Sequence, residues 1–184
     1  MAFYNIYIIW FLSEIFLNRL FRSGKNDLKK QDRGSLKKIW ITIGLANTLG
    51  ILAALYLRFP VTKSMVIPYS GLIILVAGMM LRFYSILSLG RYFTVDVTIR
   101  ENHKLKQNGI YTKVRHPSYT GMLLSFLGFG LSLNNWFSLF IIVIPVTSAM
   151  LYRIGIEEKI LSDQFGEEYS AYREKTWRLV PWIY

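Results

Sequence analysis

The sequence predicts an all-α integral membrane protein with about five transmembrane helices. Its residues are 53% hydrophobic and 16% aromatic, and the mean hydropathy of +0.32 is high for a soluble domain, which needs polar residues on its surface. Apolar stretches of about the length that crosses a hydrocarbon core recur along the chain. Basic residues, which give a net charge of +11, collect between those stretches. This pattern is typical of a membrane protein rather than of a soluble nucleic-acid-binding protein.

Five apolar stretches are the candidate spans. In chain order they are Ala2–Leu20, Ile39–Leu57, Val66–Leu89, Tyr119–Leu133 and Trp136–Ile156. The first lacks the basic start and the small-residue cleavage site of a signal peptide and carries Glu14 and Arg19, so we expect it to be retained. The fourth is short and joins the fifth through Asn134-Asn135, which predicts a tight helical hairpin.

The basic residues between the spans predict the orientation, because Lys and Arg collect on the cytoplasmic side. Seven lie between the first two spans: Arg22, Lys25, Lys29, Lys30, Arg33, Lys37 and Lys38. Six lie between the third and the fourth: Arg91, Arg100, Lys104, Lys106, Lys113 and Arg115. The loop after the second span has only Arg58 and Lys63. We therefore expect the N-terminus outside and the C-terminus in the cytoplasm, in the plasma (inner) membrane if the cell is prokaryotic.

We expect residues 1–184 to form one membrane domain whose two halves differ in their content of polar residues. Residues 1–89 are spans with short connectors, whereas residues 90–184 hold most of the polar side chains that could do chemistry. In the second half, Phe93–Ile99 is strand-like and Asn108-Gly109 is a turn signal. The chain has no cysteine and two histidines, His103 and His116, so we expect no metal site.

Several motifs of the second half occur in a recognisable order. The segment "NHKLKQNGIYTKVRHPSYTG" is followed by the hairpin, then by "RIGIEEKIL" and "FGEEYSAYREKTWRLVP". Together they resemble the isoprenylcysteine carboxyl methyltransferase family over about residues 90–184. Related membrane methyltransferases that act on phospholipids or small thiols share the RHPxYxG and EE elements, so the motifs indicate the superfamily more specifically than the acceptor. The first two spans carry no motif.

The resemblance implies a methyltransferase that uses S-adenosylmethionine (SAM) in a cytosolic-face pocket formed by residues 90–184. It implies carboxyl O-methylation of an isoprenylcysteine-like lipophilic acceptor that enters from the bilayer. The cofactor-binding residues it implies are His103, Lys104, Leu105, Lys106, Tyr111, His116, Pro117, Ser118, Tyr119 and Glu157. Arg153 is implied to bind the acceptor carboxylate, and Arg153 and Glu157 are the catalytic candidates. Asp96 stands where relatives tend to have an uncharged amide, so it inherits no role.

The residue types suit this chemistry. Backbone N–H groups of the turn around Lys104, Lys106 and Gly109 could bind the SAM carboxylate. Pro117 fits the first turn of a helix, where its missing N–H costs nothing. An acceptor carboxylate, with a reference pKa of about 3.5, is already ionised near neutral pH, so His116 need not act as a base.

The "EE" element adds a charged pair near the end of the fifth span. Arg153 can bind a carboxylate through two parallel hydrogen bonds, and Glu157 can accept from amino or ribose groups of SAM. Glu158 points about 100° away from Glu157 on the helix and is expected to be structural. In the tail, Phe165, Tyr169 and Tyr172 have the spacing of one helical face, which is expected to help close the pocket.

Other functions fit some of these features. A phospholipid-amine or small-thiol methyltransferase would share the SAM site, although an amine acceptor would gain little from Arg153. A non-enzymatic membrane scaffold would use the same basic loops without binding SAM, and a reductase of similar architecture would bind a nicotinamide cofactor. For Arg82, near the end of the third span, the favoured interpretation is a side chain that snorkels to the membrane surface.

Overall fold

Helices dominate the computed structural model, which describes residues 2–21, 29–30, 34–57, 59–95, 98–99 and 104–184. The α-helices of this part of the chain are α1 (Ala2–Leu20), α2 (Ser35–Tyr56), α3 (Val66–Leu89), α4 (Pro117–Ser132), α5 (Trp136–Phe165) and α6 (Glu167–Glu174). Short 3-10 helices occupy Gly90–Tyr92 and Gly109–Thr112, and β1 (Lys29–Lys30) pairs antiparallel with β2 (Thr98–Ile99). The predicted helical fold is confirmed, with this two-residue strand pair added, and each predicted span corresponds to a helix.

Three helices of the described residues are long and apolar enough to cross a membrane, namely α2, α3 and α5. Large apolar side chains on them face outward, among them Leu45, Ile73 and Ile144. A soluble protein rarely leaves so much apolar surface exposed. The structure therefore supports an integral membrane protein.

The hairpin between α4 and α5 is confirmed and closes one end of the bundle. Asn134 has a φ of 50°, and the side chain of Asn135 caps α5 by accepting a hydrogen bond from the Ser138 N–H at 3.1 Å. The loop after α2 packs on this hairpin, since Trp136 N donates to the Phe59 carbonyl at 3.1 Å. The polar segments that carry the motifs consequently lie at the opposite end.

Helices α3 and α4 approach each other closely along a line of glycines. A Cβ on Gly78 would lie 2.5 Å from Ser125 N, and a Cβ on Gly71 would lie 2.5 Å from Ser132 N. Gly121 and Gly128 face the same seam from α4. Small residues let the backbones of membrane helices pack without intervening side chains. This seam holds the start of α4, where the RHPSY motif lies, in position against α3.

Two local predictions were wrong. Only Thr98–Ile99 of the expected strand Phe93–Ile99 forms a strand; Phe93–Val95 does not, and residues 96–97 lie outside the described residues. The expected helical face of Phe165, Tyr169 and Tyr172 is divided, because α5 ends at Phe165 and α6 starts after Gly166. Gly166 has a φ of 52°, a conformation that glycine adopts readily, and the chain turns there.

Candidate active site

A large cavity opens among the motif-bearing segments at the polar end of the bundle. It encloses about 1290 Å³ of empty space, a volume that includes its open mouth. Helices α1 to α6 all contribute to its wall, together with the segment Tyr92–Val95. The cavity thus joins the motif-bearing segments to the helices of the bundle.

Most of the sequence-predicted site residues meet at this cavity. Those that line it are Leu105, Lys106, Tyr111, His116, Pro117, Ser118, Tyr119, Arg153 and Glu157. Lys104 is exposed and lies outside the lining. His103 and Asp96 are outside the described residues.

Pro117 is the first residue of α4, a position where its missing N–H costs no hydrogen bond. From the first turn of this helix, Tyr119 links the two catalytic candidates on α5. Its hydroxyl donates to Oε2 of Glu157 at 2.9 Å and accepts from Nε of Arg153 at 3.1 Å. A tyrosine thus joins the i, i+4 pair that the sequence places on one helix face.

Arg153 is held from three directions, although only 3% of its surface is exposed. Besides Tyr119, its guanidinium donates to Ser35 Oγ at 2.6 Å and to the carbonyl of Val95. Ser35 opens α2, and Val95 belongs to the segment after α3. The arginine therefore ties three parts of the cavity wall together.

Glu158, next to Glu157, points away from the cavity and holds the C-terminal tail. Its carboxylate accepts from Nε of Arg115 at 3.2 Å and from Nη2 of Arg178 at 2.6 Å, and it lies 3.3 Å from Nε2 of His116. Only 5% of Glu158 is exposed. The predicted structural role of this residue agrees with these contacts.

The tail after α6 runs alongside the RHP stretch. Val114 and Trp177 form an isolated parallel bridge, in which Arg115 N donates to the Trp177 carbonyl at 2.8 Å. His116 N donates to the Arg178 carbonyl at 3.1 Å. These backbone bonds hold the motif in place from its outer side.

Two tyrosines of α6 form the outer wall of the cavity. The Tyr172 hydroxyl donates to the Tyr111 carbonyl at 2.7 Å, and burial raises the pKa of Tyr172 to about 12. Tyr169 is 1% exposed, yet its hydroxyl has no hydrogen-bond partner among the residues that the structure describes. Buried hydroxyls are rarely left unpaired, so this group is available to a ligand. Phe165, the third aromatic of the predicted face, is outside the lining.

The expected pocket of residues 90–184 alone was wrong, because α1, α2 and α3 also line the cavity. Arg82 does not snorkel: it is 8% exposed, and its Nε lies 2.7 Å from Oε1 of Glu14 on α1. The N–H is not aligned with the carboxylate oxygen, so the contact is an ion pair rather than a hydrogen bond. Nη1 of Arg82 donates to Ser118 Oγ at 3.1 Å, and Asn18 lines the cavity one turn beyond Glu14. Two ionisable residues in separate apolar spans were the available signal, because such residues tend to pair inside a membrane bundle.

Comparison with known sequences places the chain among membrane methyltransferases. The model of the isoprenylcysteine carboxyl methyltransferase (ICMT) family matches residues 71–163. The chain is 36% identical over 115 residues to protein-S-isoprenylcysteine O-methyltransferase B of Arabidopsis thaliana, a match covering 61% of this chain and 58% of the relative. It is 32% identical over 130 residues to a probable protein-S-isoprenylcysteine O-methyltransferase of Oryza sativa subsp. indica, covering 69% and 68%.

Comparison with solved structures supports the same fold. The eukaryotic intramembrane Ras methyltransferase ICMT superimposes with a TM-score of 0.57 at 23% identity, over 86% of this chain and 55% of that one. The family match covers half of this chain and includes α4 and α5 up to Asp163, and the motif resemblance is thereby confirmed. The chain belongs to the isoprenylcysteine carboxyl methyltransferase family.

Proposed function

We propose that this protein transfers the methyl group of SAM to a carboxylate oxygen of an isoprenylcysteine-like lipophilic acceptor at the cytosolic membrane face. The observation that carries the proposal is the convergence of the motif residues on one cavity that also reaches the membrane helices. The names of the relatives support the acceptor class. The acceptor test below separates amine- and thiol-directed functions from this one, and failure of the protein to use SAM would favour the non-enzymatic or nicotinamide-dependent functions.

The residues on the polar side of the cavity fit SAM. Glu157 keeps 31% of its side chain exposed and offers a carboxylate to cationic or hydroxyl groups of the cofactor. Tyr169 presents a buried hydroxyl that no other described residue pairs with, and Lys106 lines the wall near the Asn108-Gly109 turn. We assign Leu105, Tyr111 and the His116–Tyr119 stretch to the same subsite, whereas the exposed Lys104 and the undescribed His103 stay predictions. SAM supplies an activated methyl group on a sulfonium sulfur.

Arg153 is proposed to bind the acceptor carboxylate. Its bond to the Val95 carbonyl is the contact that an incoming carboxylate would replace, because Val95 also lines the cavity. Tyr119 and Ser35 would keep the guanidinium in position during that exchange. Because the acceptor is already ionised, these residues contribute positioning and exclusion of water rather than proton removal.

We further propose that α1 to α5 all cross the membrane, with the N-terminus outside. The support is that the motif-bearing segments lie at one end of the bundle, whereas the sparsely charged α2–α3 loop packs on the hairpin at the other. SAM would then enter from the cytosol, and the acceptor would enter sideways from the bilayer.

The test is methyl transfer from labelled SAM by the detergent-purified protein to three acceptors: N-acetyl-S-farnesylcysteine, phosphatidylethanolamine and a small alkyl thiol. We expect turnover of the first only, with kcat/KM at least about 100-fold lower in Arg153→Lys because a lysine cannot form the two parallel bonds. Binding of S-adenosylhomocysteine (SAH) should be kept in this variant. Turnover of the amine or the thiol instead, or an unimpaired Arg153→Lys, would contradict the carboxylate assignment.

A further inference from the structure

The wall of the cavity formed by α1 contains a polar group without a partner. Nδ2 of Asn18 is buried and has no hydrogen bond in the part of the chain that the structure describes. Asn18 lines the main cavity, as does Glu14, four residues earlier on the same helix face. An unpaired buried amide is costly unless a ligand completes its hydrogen bonds. Because Asn18 lines the cavity, a ligand bound there is the candidate partner for this donor.

The position of Asn18 is fixed by an ion pair. Glu14 and Arg82 have only 9% and 10% of their side chains exposed, and Arg82 also binds Ser118 at the start of α4. Separating such a pair inside a bundle would leave two uncompensated charges, which strongly opposes it. Helix α1 is thereby held with its Glu14–Asn18 face towards the cavity.

We propose that Asn18 is a specificity-determining residue of the acceptor subsite and that its side-chain amide donates to an amide carbonyl next to the acceptor's reacting carboxylate. The Glu14–Arg82 pair acts as the positioning element. This inference rests on the proposed function. It assigns acceptor selection to α1, which lies outside the segment that the family model matches.

The chemistry of the two donors separates their tasks. Arg153 on α5 suits a carboxylate, whereas a neutral amide such as Asn18 suits a neutral carbonyl oxygen. An N-acylated amino acid carries both groups on one α-carbon, the carboxylate directly and the acyl carbonyl through its nitrogen. An acceptor without the acyl group leaves Asn18 unpaired in a closed site, so the wild-type protein should use it less efficiently.

The experiment compares Asn18→Leu with wild type on two acceptors. The first is N-acetyl-S-farnesylcysteine, and the second is 3-(farnesylthio)propionic acid, which is the same molecule without the acetamido group. We expect KM for the first to rise about fivefold to tenfold in Asn18→Leu and KM for the second to stay within twofold, so that the variant loses the wild-type preference. SAH affinity should be unchanged. The melting temperature should be equal or higher, because an unpaired buried donor has been removed.

Asn5→Leu is the matched control, since Asn5 is an exposed residue of α1 outside the cavity lining, and it should leave both KM values unchanged. An unchanged preference in Asn18→Leu would overturn the proposal, and so would an equal rise of KM for both acceptors or a lowered melting temperature, which indicate a structural role. If wild type transfers methyl groups normally, these failures concern Asn18 alone. Absence of SAH binding by folded wild type would overturn the proposed function and this inference with it.

Discussion

At the scale of single residues, the adjacent carboxylates Glu157 and Glu158 have opposite surroundings. Glu157 faces the cavity with 31% of its side chain exposed, whereas Glu158 is buried among Arg115, His116 and Arg178. Glu157 is the residue that we propose to bind the ligand, whereas Glu158 holds the tail. The same substitution at each position separates these tasks.

We expect Glu157→Gln to weaken SAH binding about 10- to 100-fold, because a hydrogen bond to a charged group contributes about 1.5–3 kcal/mol. Its melting temperature should stay close to wild type. Glu158→Gln should instead lower the free energy of unfolding by about 3 kcal/mol, since it leaves buried cationic partners uncompensated. Calorimetric titration and thermal unfolding followed by tryptophan fluorescence measure the two effects. The reverse pattern, or equal effects in both variants, would contradict the division.

The sequence was informative for residues within the quoted motifs. The 100° helical step between successive residues was enough to assign Glu158 a structural role, and the contacts of that residue support it. Arg82 was misjudged, because a lone arginine two turns before a helix end has the pattern of a snorkelling side chain. Its partner Glu14 lies on another helix, and a single sequence does not show which helix faces touch.

At the scale of secondary-structure elements, the α3–α4 seam holds the start of α4 against α3 and thereby positions the RHPSY motif. In Gly78→Ala the added methyl group would meet the backbone of α4, with Ser125 N at 2.5 Å and Gly121 O at 2.6 Å. We expect a loss of about 1–3 kcal/mol in unfolding free energy, as for other overpacked sites. The matched control is Gly44→Ala on α2, where nothing lies within 4 Å, and stability there should stay equal or rise slightly. A Gly78→Ala protein as stable as this control would disprove the close packing.

Docking of α6 depends on a protonated tyrosine. The pKa of Tyr172 is raised by burial to about 12, above its ordinary value near 10, so its contribution to stability is complete below pH 10 and is lost between about pH 10 and 12. We expect ionisation of Tyr172 to leave the SAH affinity unchanged between pH 7 and 9.5 and to lower it at higher pH. In Tyr172→Phe the alkaline fall should be smaller. An identical alkaline fall in both proteins would assign it to other groups.

Helix positions were predictable because apolar length and turn signals are local properties. The bounds of α1 and α3 agree with the predicted spans, and the Asn134-Asn135 hairpin is present. The end of α5 was not predictable in this way, since the helix continues past Ile156 into a polar segment before Gly166 ends it. The extension starts with Glu157 and Glu158, whose contacts with other elements only the folded chain provides.

At the scale of the whole molecule, one end of the bundle is expected to face the cytosol. The sequence has no cysteine, so single replacements in it report orientation without background labelling. Lys63 and Lys175 are both exposed, the first in the α2–α3 loop and the second after α6. We expect Lys63→Cys in intact cells to react with a membrane-impermeant maleimide, and Lys175→Cys to react only after the membrane is opened. The opposite labelling pattern would invert the topology and separate the cavity from cytosolic SAM.

The central claim is that the cavity at this end binds SAM for methyl transfer, and its most direct test is a calorimetric titration of the detergent-purified wild-type protein with SAH. The account predicts stoichiometric binding with a micromolar dissociation constant, together with a higher melting temperature in the presence of SAH. A well-folded protein that shows neither heat of binding nor thermal stabilisation by SAH would contradict the account.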